Sequence, residues 1–137
     1  MMVFGDNMDG KAILCVDDEV IILLSMIQEL KKVFGNRFIY EQAMDASSAL
    51  KTIDELAADG VKVILIISDW LMPGIRGDEF LEIVNERHPE IKAIMITGHA
   101  DQEAIERVRR NRTVLAVLGK PWESVELAEI IRRNFDE

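Results

Sequence analysis

Residues 63–69 read VILIISD, an apolar run rich in β-branched residues that stops at a serine and an aspartate. A short run that is apolar on both faces is typical of a central strand in a parallel sheet. Helix-like segments, with apolar residues at helical spacing, separate this run from similar ones along the chain. The alternation predicts a parallel sheet with helices packed on both faces. The predicted strands span residues 12–16, 38–43, 63–67, 93–96 and 115–118.

Capping residues mark where the predicted helices begin and end. Asp18 and Asp45 can accept backbone hydrogen bonds at the starts of the first two helices, and Gly35 is suited to end the first one. The strand at 38–43 is the least apolar, which favours a position near an edge of the sheet. The fourth helix has only a thin apolar stripe, so we expect the sheet to hold it less firmly than the others.

Polar side chains stand where four of the apolar runs end. Asp17 and Asp18 follow the first run, Asp69 the third, Thr97 the fourth and Lys120 the fifth. Because ligands of parallel sheets bind beyond the carboxyl ends of the strands, we expect these five side chains to meet at one edge. Three carboxylates, a hydroxyl and an ammonium together indicate a site for a divalent cation and a phosphoryl group.

The three carboxylates are expected to repel one another in this crevice. Two like charges ~4 Å apart cost about 4 kcal/mol at an effective dielectric constant of 20, so such a cluster indicates a bound cation. Carboxylate oxygens suit Mg²⁺, which takes one or two of them and keeps several waters. Capping of the first helix by Asp17 and Asp18 is the alternative without a metal. Asp69 has two open roles, as a metal ligand or as a nucleophile that forms an acyl phosphate.

Lys120 is followed by Pro121, and a proline directly after a strand requires a special turn. A cis X-Pro bond costs only about 0.5–1 kcal/mol relative to trans. We therefore expect a cis Lys120–Pro121 bond that directs the ammonium group toward the crevice.

Composition limits the class of protein. A chain of 137 residues suits one domain, in which we take residues 1–10 as a flexible lead-in and 11–137 as the folded part. The net charge of −9 argues against nucleic-acid binding, which requires a basic surface. No stretch approaches the ~20 apolar residues that span a bilayer, and a single cysteine, Cys15, excludes an internal disulfide. We expect a cytoplasmic domain that binds neither nucleic acid nor membrane.

Four motifs, in order along this alternating pattern, resemble the receiver domain of two-component response regulators. The resemblance covers about residues 11–135 and implies a flavodoxin-like, three-layer α/β sandwich. It implies five parallel strands in the order 2-1-3-4-5 with five helices. The motifs are the acidic pair in VDDE, the pattern D-x-x-M-P-x-x-x-G as Asp69, Met72, Pro73 and Gly77, the TG of ITGHAD, and Lys120-Pro121.

The resemblance also assigns roles around the acceptor. Asp69 is expected to accept a phosphoryl group from the phosphohistidine of a sensor histidine kinase or a phosphotransfer protein. Asp18, Asp69 and the backbone carbonyl of Leu71 are expected to bind Mg²⁺ directly, and Asp17 to act partly through water. Besides the kinase or phosphotransfer protein, a homodimer is an open alternative as a partner.

The remaining residues concern the response to phosphorylation. By resemblance, Lys120 pairs with a phosphate oxygen, Thr97 moves to bond another, and the small Gly98 leaves room for the phosphate. This movement is expected to change the face formed by helix four, strand five and helix five. One departure is Val117, since the family often has Phe or Tyr three residues before the lysine, a ring that turns inward when the threonine moves.

Three other functions fit the sequence less well. Residues 5–11, GDNMDGK, match the P-loop pattern, but they precede the first strand, and Ala12 replaces the Ser or Thr that holds Mg²⁺. A phosphohydrolase of the haloacid dehalogenase type needs a second aspartate two residues after its nucleophile, where this chain has Leu71. A binding-only receiver is the third, although every expected site residue is present. We therefore expect no enzyme activity beyond the domain's own phosphoryl transfer and dephosphorylation.

Overall fold

The computed structural model describes residues 10–72, 74–98 and 102–135, so Pro73 and residues 1–9 and 99–101, for which the sequence makes predictions, lie outside the described residues. A short 3₁₀ turn, Gly35–Arg37, follows the first helix. The strands are β1 (Lys11–Val16), β2 (Ile39–Ala43), β3 (Lys62–Asp69), β4 (Lys92–Thr97) and β5 (Val114–Gly119). The helices are α1 (Val20–Phe34), α2 (Ala46–Ala58), α3 (Gly77–Arg87), α4 (Gln102–Arg110) and α5 (Ser124–Phe135).

The strands form one parallel sheet in the order β2-β1-β3-β4-β5, which confirms the predicted topology. Helices α1 and α5 pack on one face, whereas α2, α3 and the buried Val108 of α4 pack on the other. Strand β2 lies at an edge, as its weaker apolar character predicts. Cys15 is fully buried in β1, and burial raises the pKa of its thiol to about 12, so it behaves as a small core residue.

The helix caps follow the sequence except at the start of α1. The side chain of Asp45 accepts a hydrogen bond from the backbone N–H of Ser48 at 2.7 Å, and Gly35 ends α1 with a φ of 56°. The predicted cap by Asp18 is wrong, because α1 begins one residue later and Asp18 is exposed. Instead, Oδ1 of Asp17 accepts the N–H of Glu19 at 2.9 Å. None of the described helices is long and apolar enough to cross a membrane.

Strand β3 is longer than predicted and includes the two polar residues at its end. Ser68 and Asp69 stay in register with Met95 and Ile96 of β4, because parallel pairing with a neighbour continues to that point. Ser68 is fully buried and donates its hydroxyl hydrogen to the carbonyl oxygen of Asp69 at 3.0 Å. This hydrogen bond compensates for the burial of the Ser68 hydroxyl, so Ser68 can remain inside the strand. Asp69 is the last residue of β3.

Candidate functional site

The carboxyl ends of four strands meet at one edge of the sheet, as their parallel order requires. The backbone N–H of Trp70 donates to the carbonyl of Ile96 at 2.9 Å, and the N–H of Lys120 donates to the carbonyl of Thr97 at 2.9 Å. These two bonds fix the segments after β3 and β5 against β4. The positions of Asp69 and of Lys120 therefore follow from the backbone of the sheet.

Three carboxylates cluster at this edge. Asp17, Asp18 and Asp69 each place one oxygen within 4.8 Å of the others. Asp17 and Asp69 are only 2% and 6% exposed, whereas Asp18 faces solvent. Like charges at this separation repel one another, so the cluster requires cationic partners.

Lys120 is the cation that the fold itself supplies to this cluster. Its Nζ lies 3.3 Å from Oδ2 of Asp17 and 3.2 Å from Oδ1 of Asp69. One ammonium against three carboxylates leaves the cluster with net negative charge. The Lys120–Pro121 peptide bond is cis, the geometry that the sequence led us to expect.

The pKa values of the two central groups reflect their surroundings. Burial raises the pKa of Asp69, and the carboxylate of Asp17 raises it further, while Lys120 and the backbone N–H of Leu71 oppose them; the net direction is upward. Partial burial by itself would lower the pKa of Lys120, yet the carboxylates of Asp69 and Asp17 outweigh it, so the ammonium is held in its charged form. Asp69 and Lys120 each favour the charged form of the other.

A cleft of about 660 Å³ opens above this cluster. Leu71, whose side chain is about half exposed, forms part of its wall next to the acceptor. Gly98 also lines the cleft, and a Cβ at Gly98 would meet Cβ of Lys120 no closer than 4.0 Å. The cleft is wide enough for a hydrated cation together with a phosphoryl group. It is lined by Asp18, Glu19, Asp69, Leu71, Met72, Gly98 and Lys120.

The family model of the response regulator receiver domain matches residues 13–132. The chain belongs to this family. The curated relatives of this receiver domain include the hydrogenase transcriptional regulatory protein HoxA of Cupriavidus necator, 34% identical over 121 residues that cover 88% of this chain and 23% of HoxA. The sensor kinase CckA of Brucella abortus is 26% identical over 132 residues, which cover 96% of this chain and 13% of the kinase. The chain thus spans less than a quarter of the length of these two relatives.

Solved structures agree with this assignment. A CheY-like response regulator receiver domain protein from Methanospirillum hungatei has a TM-score of 0.77 at 32% identity, with 92% of this chain and 94% of that chain covered. The beryllofluoride-activated NtrC4 receiver domain dimer has a TM-score of 0.77 at 25% identity, with coverages of 91% and 96%. The receiver domain described here is therefore a module of two-component response regulators.

Several contributors to the site lie outside the residues that the sequence singled out. Glu19 lines the cleft, and the only signal for it is its place as the third acidic residue of VDDE. Glu29 of α1 accepts hydrogen bonds from the indole N–H of Trp122 at 2.9 Å and from the hydroxyl of Ser124 at 2.7 Å. These bonds tie the segment that follows Lys120 to α1. Nothing in the local sequence around Glu29 indicates such a contact.

Thr97 and Val117 occupy the positions that the response to phosphorylation is expected to use. Thr97 ends β4 and is buried, in register with Gly119 of β5. Val117 is half-buried in β5, where it packs against the core on the α2, α3 and α4 side of the sheet. The receiver domain therefore has a small aliphatic side chain at this point of β5, and not an aromatic ring.

Proposed function

We propose that this receiver domain is a phosphorylation-controlled switch that accepts a phosphoryl group on Asp69 from a histidine kinase or a phosphotransfer protein. One observation carries the proposal: the Nζ atom of Lys120 lies within 3.3 Å of carboxylate oxygens of both Asp17 and Asp69, at the base of an open cleft. A nucleophilic carboxylate next to a fixed cation is the arrangement that phosphoryl transfer requires.

The residues present fit a magnesium ion. Three clustered carboxylates against one ammonium leave negative charge that a divalent cation balances. Asp18 and Asp69, together with the backbone carbonyl of Leu71, are the proposed direct ligands. Asp17, which is buried and already bound by Lys120 and by the N–H of Glu19, is proposed to act through water. When bound, Mg²⁺ supplies positive charge to the phosphoryl oxygens.

The proposed transfer step uses side chains that the fold holds in place. A carboxylate oxygen of Asp69 forms a bond to phosphorus while the bond from phosphorus to the donor's histidine nitrogen breaks. The electron pair of the broken bond returns to the imidazole ring. Lys120 remains beside the acceptor, where its ammonium offsets the charge of the phosphoryl oxygens. Catalysis in such a step comes from positioning and charge neutralisation.

The proposed response begins at the end of β4. Thr97 bonds a phosphoryl oxygen, and Gly98 leaves room for the group. The face formed by α4, β5 and α5 then changes as a shift between two populated states. Because Val117 has no ring to turn inward, the proposal does not use an aromatic side chain in β5.

The proposed setting is the cytoplasm, with a histidine kinase or phosphotransfer protein as the partner. A homodimer belongs to the proposal because the similar NtrC4 receiver domain is a dimer. The net charge of −9 supports a domain that does not itself bind nucleic acid. The phosphohydrolase alternative lacks support at the site, since Leu71 stands where such an enzyme needs its acid/base carboxylate.

Intact-mass analysis after treatment with acetyl phosphate tests the acceptor. We expect one phosphoryl adduct on the wild type with Mg²⁺ and none without it. Asp69→Ala should lose the adduct because the nucleophile is gone. The control Asp54→Ala, an exposed aspartate on α2, should be modified as the wild type is. An equal adduct on wild type and Asp69→Ala would contradict the proposal, and no adduct on either would favour a binding-only receiver.

A further inference from the structure

A second charged cluster lies outside the acceptor site, around a buried aspartate. Asp78, in the first turn of α3, has a side chain that is only 1% exposed. Arg76 contacts it through two nitrogens, with Nε 3.2 Å from Oδ1 and Nη2 3.2 Å from Oδ2. Arg107 of α4 contacts the same carboxylate from the other side, with Nη1 3.1 Å from Oδ2. Two guanidinium groups thus compensate one buried carboxylate, which would be costly to leave unpaired.

One arm of this cluster reaches the acceptor segment, which we define as Asp69 and Trp70 at the end of β3. The guanidinium of Arg76 lies 5.5 Å from the centre of the Trp70 ring, within cation–π range. Trp70 is buried and directly follows Asp69. The backbone N–H of Gly77, between Arg76 and Asp78, donates to the carbonyl of Trp70 at 2.6 Å. A short series of contacts therefore connects Trp70 to Asp78.

The other arm holds α4. Among the α4 side chains that the structure describes, only that of Val108 is buried, so apolar packing holds this helix weakly. Arg107 adds an ionic contact to the buried Asp78 and a second one, at 3.0 Å, to the exposed Glu82 of α3. The contact with Asp78 is the better shielded of the two and is less weakened by salt.

We propose that Asp78 is a positioning residue that couples the acceptor segment to α4, with Arg76 and Arg107 as its two arms. The inference rests on the proposed function, since it concerns the movement of α4 when Asp69 carries a phosphoryl group. The contact between Arg107 and Asp78 belongs to the arrangement in which Lys120 pairs directly with Asp69. When Asp69 carries a phosphoryl group, the contact between Trp70 and Arg76 changes. The ion pair between Asp78 and Arg107 then weakens, and α4 is released.

The effect of Arg107→Ala on binding of beryllofluoride, a phosphoryl analogue, tests this coupling. With Mg²⁺ present, we expect the variant to bind the analogue at least about 3-fold more tightly than the wild type, because the contact between Arg107 and Asp78 no longer has to be broken. In the absence of the analogue, amide hydrogen exchange in α4 should already be faster in the variant. Asp78→Asn should change the affinity in the same direction, and the double variant should add little to either change.

Two matched controls separate the buried contact from its surroundings. Glu82→Gln removes the negative charge of the exposed partner of Arg107 and leaves Asp78 in place, so it should bind the analogue with nearly wild-type affinity. Arg110→Ala removes an exposed arginine from the same helix and should do the same. If Asp78→Asn fails to fold, Arg107→Ala alone decides the question, since Arg107 is partly exposed.

Several results would overturn the coupling. They are an unchanged affinity in Arg107→Ala, an equal change in Glu82→Gln, or faster exchange in α4 without any change in affinity. Failure of the proposed function looks different, because the wild type itself would then fail to bind the analogue, or Asp69→Asn would bind it equally well. In that case, amide exchange in α4 still tests the contact between α3 and α4. If α4 exchanges at the wild-type rate in Arg107→Ala, the ion pair between Arg107 and Asp78 does not hold the helix.

Discussion

Asp69 is surrounded by groups that act on its charge in opposite directions. Burial and Asp17 disfavour the carboxylate, whereas Lys120 and the N–H of Leu71 favour it, and the net result is a raised pKa. The ionised form of Asp69 is thus less favourable in the folded protein than in the unfolded chain. A nucleophile that is kept charged at a cost to stability is common at functional sites.

Replacement of Asp69 by asparagine should therefore stabilise the fold. When folding raises the pKa of an acid, that acid lowers the unfolding free energy as pH rises above its ordinary pKa, because the folded protein then holds a disfavoured charge. At pH 7 without metal, we expect Asp69→Asn to unfold at a higher temperature than the wild type, because it removes a carboxylate that folding disfavours. The gap should narrow as pH falls through about 4 and close below it, where the carboxyl group is protonated in both states.

Thermal unfolding of both proteins across this pH range is the measurement. Asp18→Asn is the control, because that carboxylate belongs to the same cluster but faces solvent, and its effect should be smaller. A wild type that is as stable as Asp69→Asn at pH 7 in the absence of metal would show that Lys120 fully offsets the burial of the acceptor.

At the scale of elements, the start of α3 is pressed against the end of β3. A Cβ added at Gly77 would lie 2.5 Å from the carbonyl oxygen of Asp69 and 2.8 Å from Cα of Trp70. Both neighbours are backbone atoms of the acceptor segment, which the sheet fixes. Glycine is therefore required at this position by close approach, and its φ is not the reason, since it is not among the residues with positive φ.

Gly77→Ala should displace either α3 or the acceptor segment. We expect the unfolding free energy to fall by about 2 kcal/mol or more, as for overpacking of a rigid interior. Phosphorylation by acetyl phosphate should slow in the protein that remains folded. The matched control is Gly119→Ala, whose Cβ would meet its nearest neighbour, the carbonyl oxygen of Thr97, only at 4.0 Å. Equal stability of the two variants, by denaturant unfolding, would refute this account.

The elements themselves were largely predictable from the sequence, and the reasons are local. Apolar runs such as 63–67 identified the strands, and the caps at Asp45 and Gly35 marked helix ends. The start of α1 was not, because its N-cap is Glu19, which makes no side-chain capping bond, and not an aspartate as the residue types suggested. Only the three-dimensional structure shows that the buried Asp17 bonds to the chain beyond it while Asp18 turns to solvent.

At the scale of the whole molecule, parallel order brings distant residues to one edge, and this too was predictable. Strand ends in a parallel sheet share an edge whatever their separation in sequence, so the proximity of Asp17, Asp69 and Lys120 follows from topology. Contacts that do not lie at strand ends have no such rule. The pairs Asp78–Arg107 and Glu29–Trp122 join residues 29 and 93 positions apart, and no local pattern marks either.

Glu29 ties α1 to the segment after β5, and its removal should affect both. Glu29→Ala leaves the indole N–H of Trp122 without its carboxylate acceptor, so we expect a loss of about 1–3 kcal/mol in unfolding free energy. In a Trp70→Phe background, the emission of Trp122 should shift to the red as water reaches the ring. Glu29→Gln keeps an acceptor oxygen and should retain most of both properties. Wild-type emission in Glu29→Ala would contradict the role assigned to this contact.

The loose hold on α4 has a consequence for how such a domain can be adjusted. Among the described residues of α4, Val108 is the one buried side chain, and Arg107 forms an ion pair with the buried Asp78. Neither residue lines the cleft above Asp69. In the proposed coupling, substitutions at Arg107 therefore shift the balance between the two states of α4 while the proposed acceptor chemistry at Asp69 stays as it is. The balance between the two states and the rate of phosphoryl transfer thus depend on different residues, so a substitution can change one property without the other.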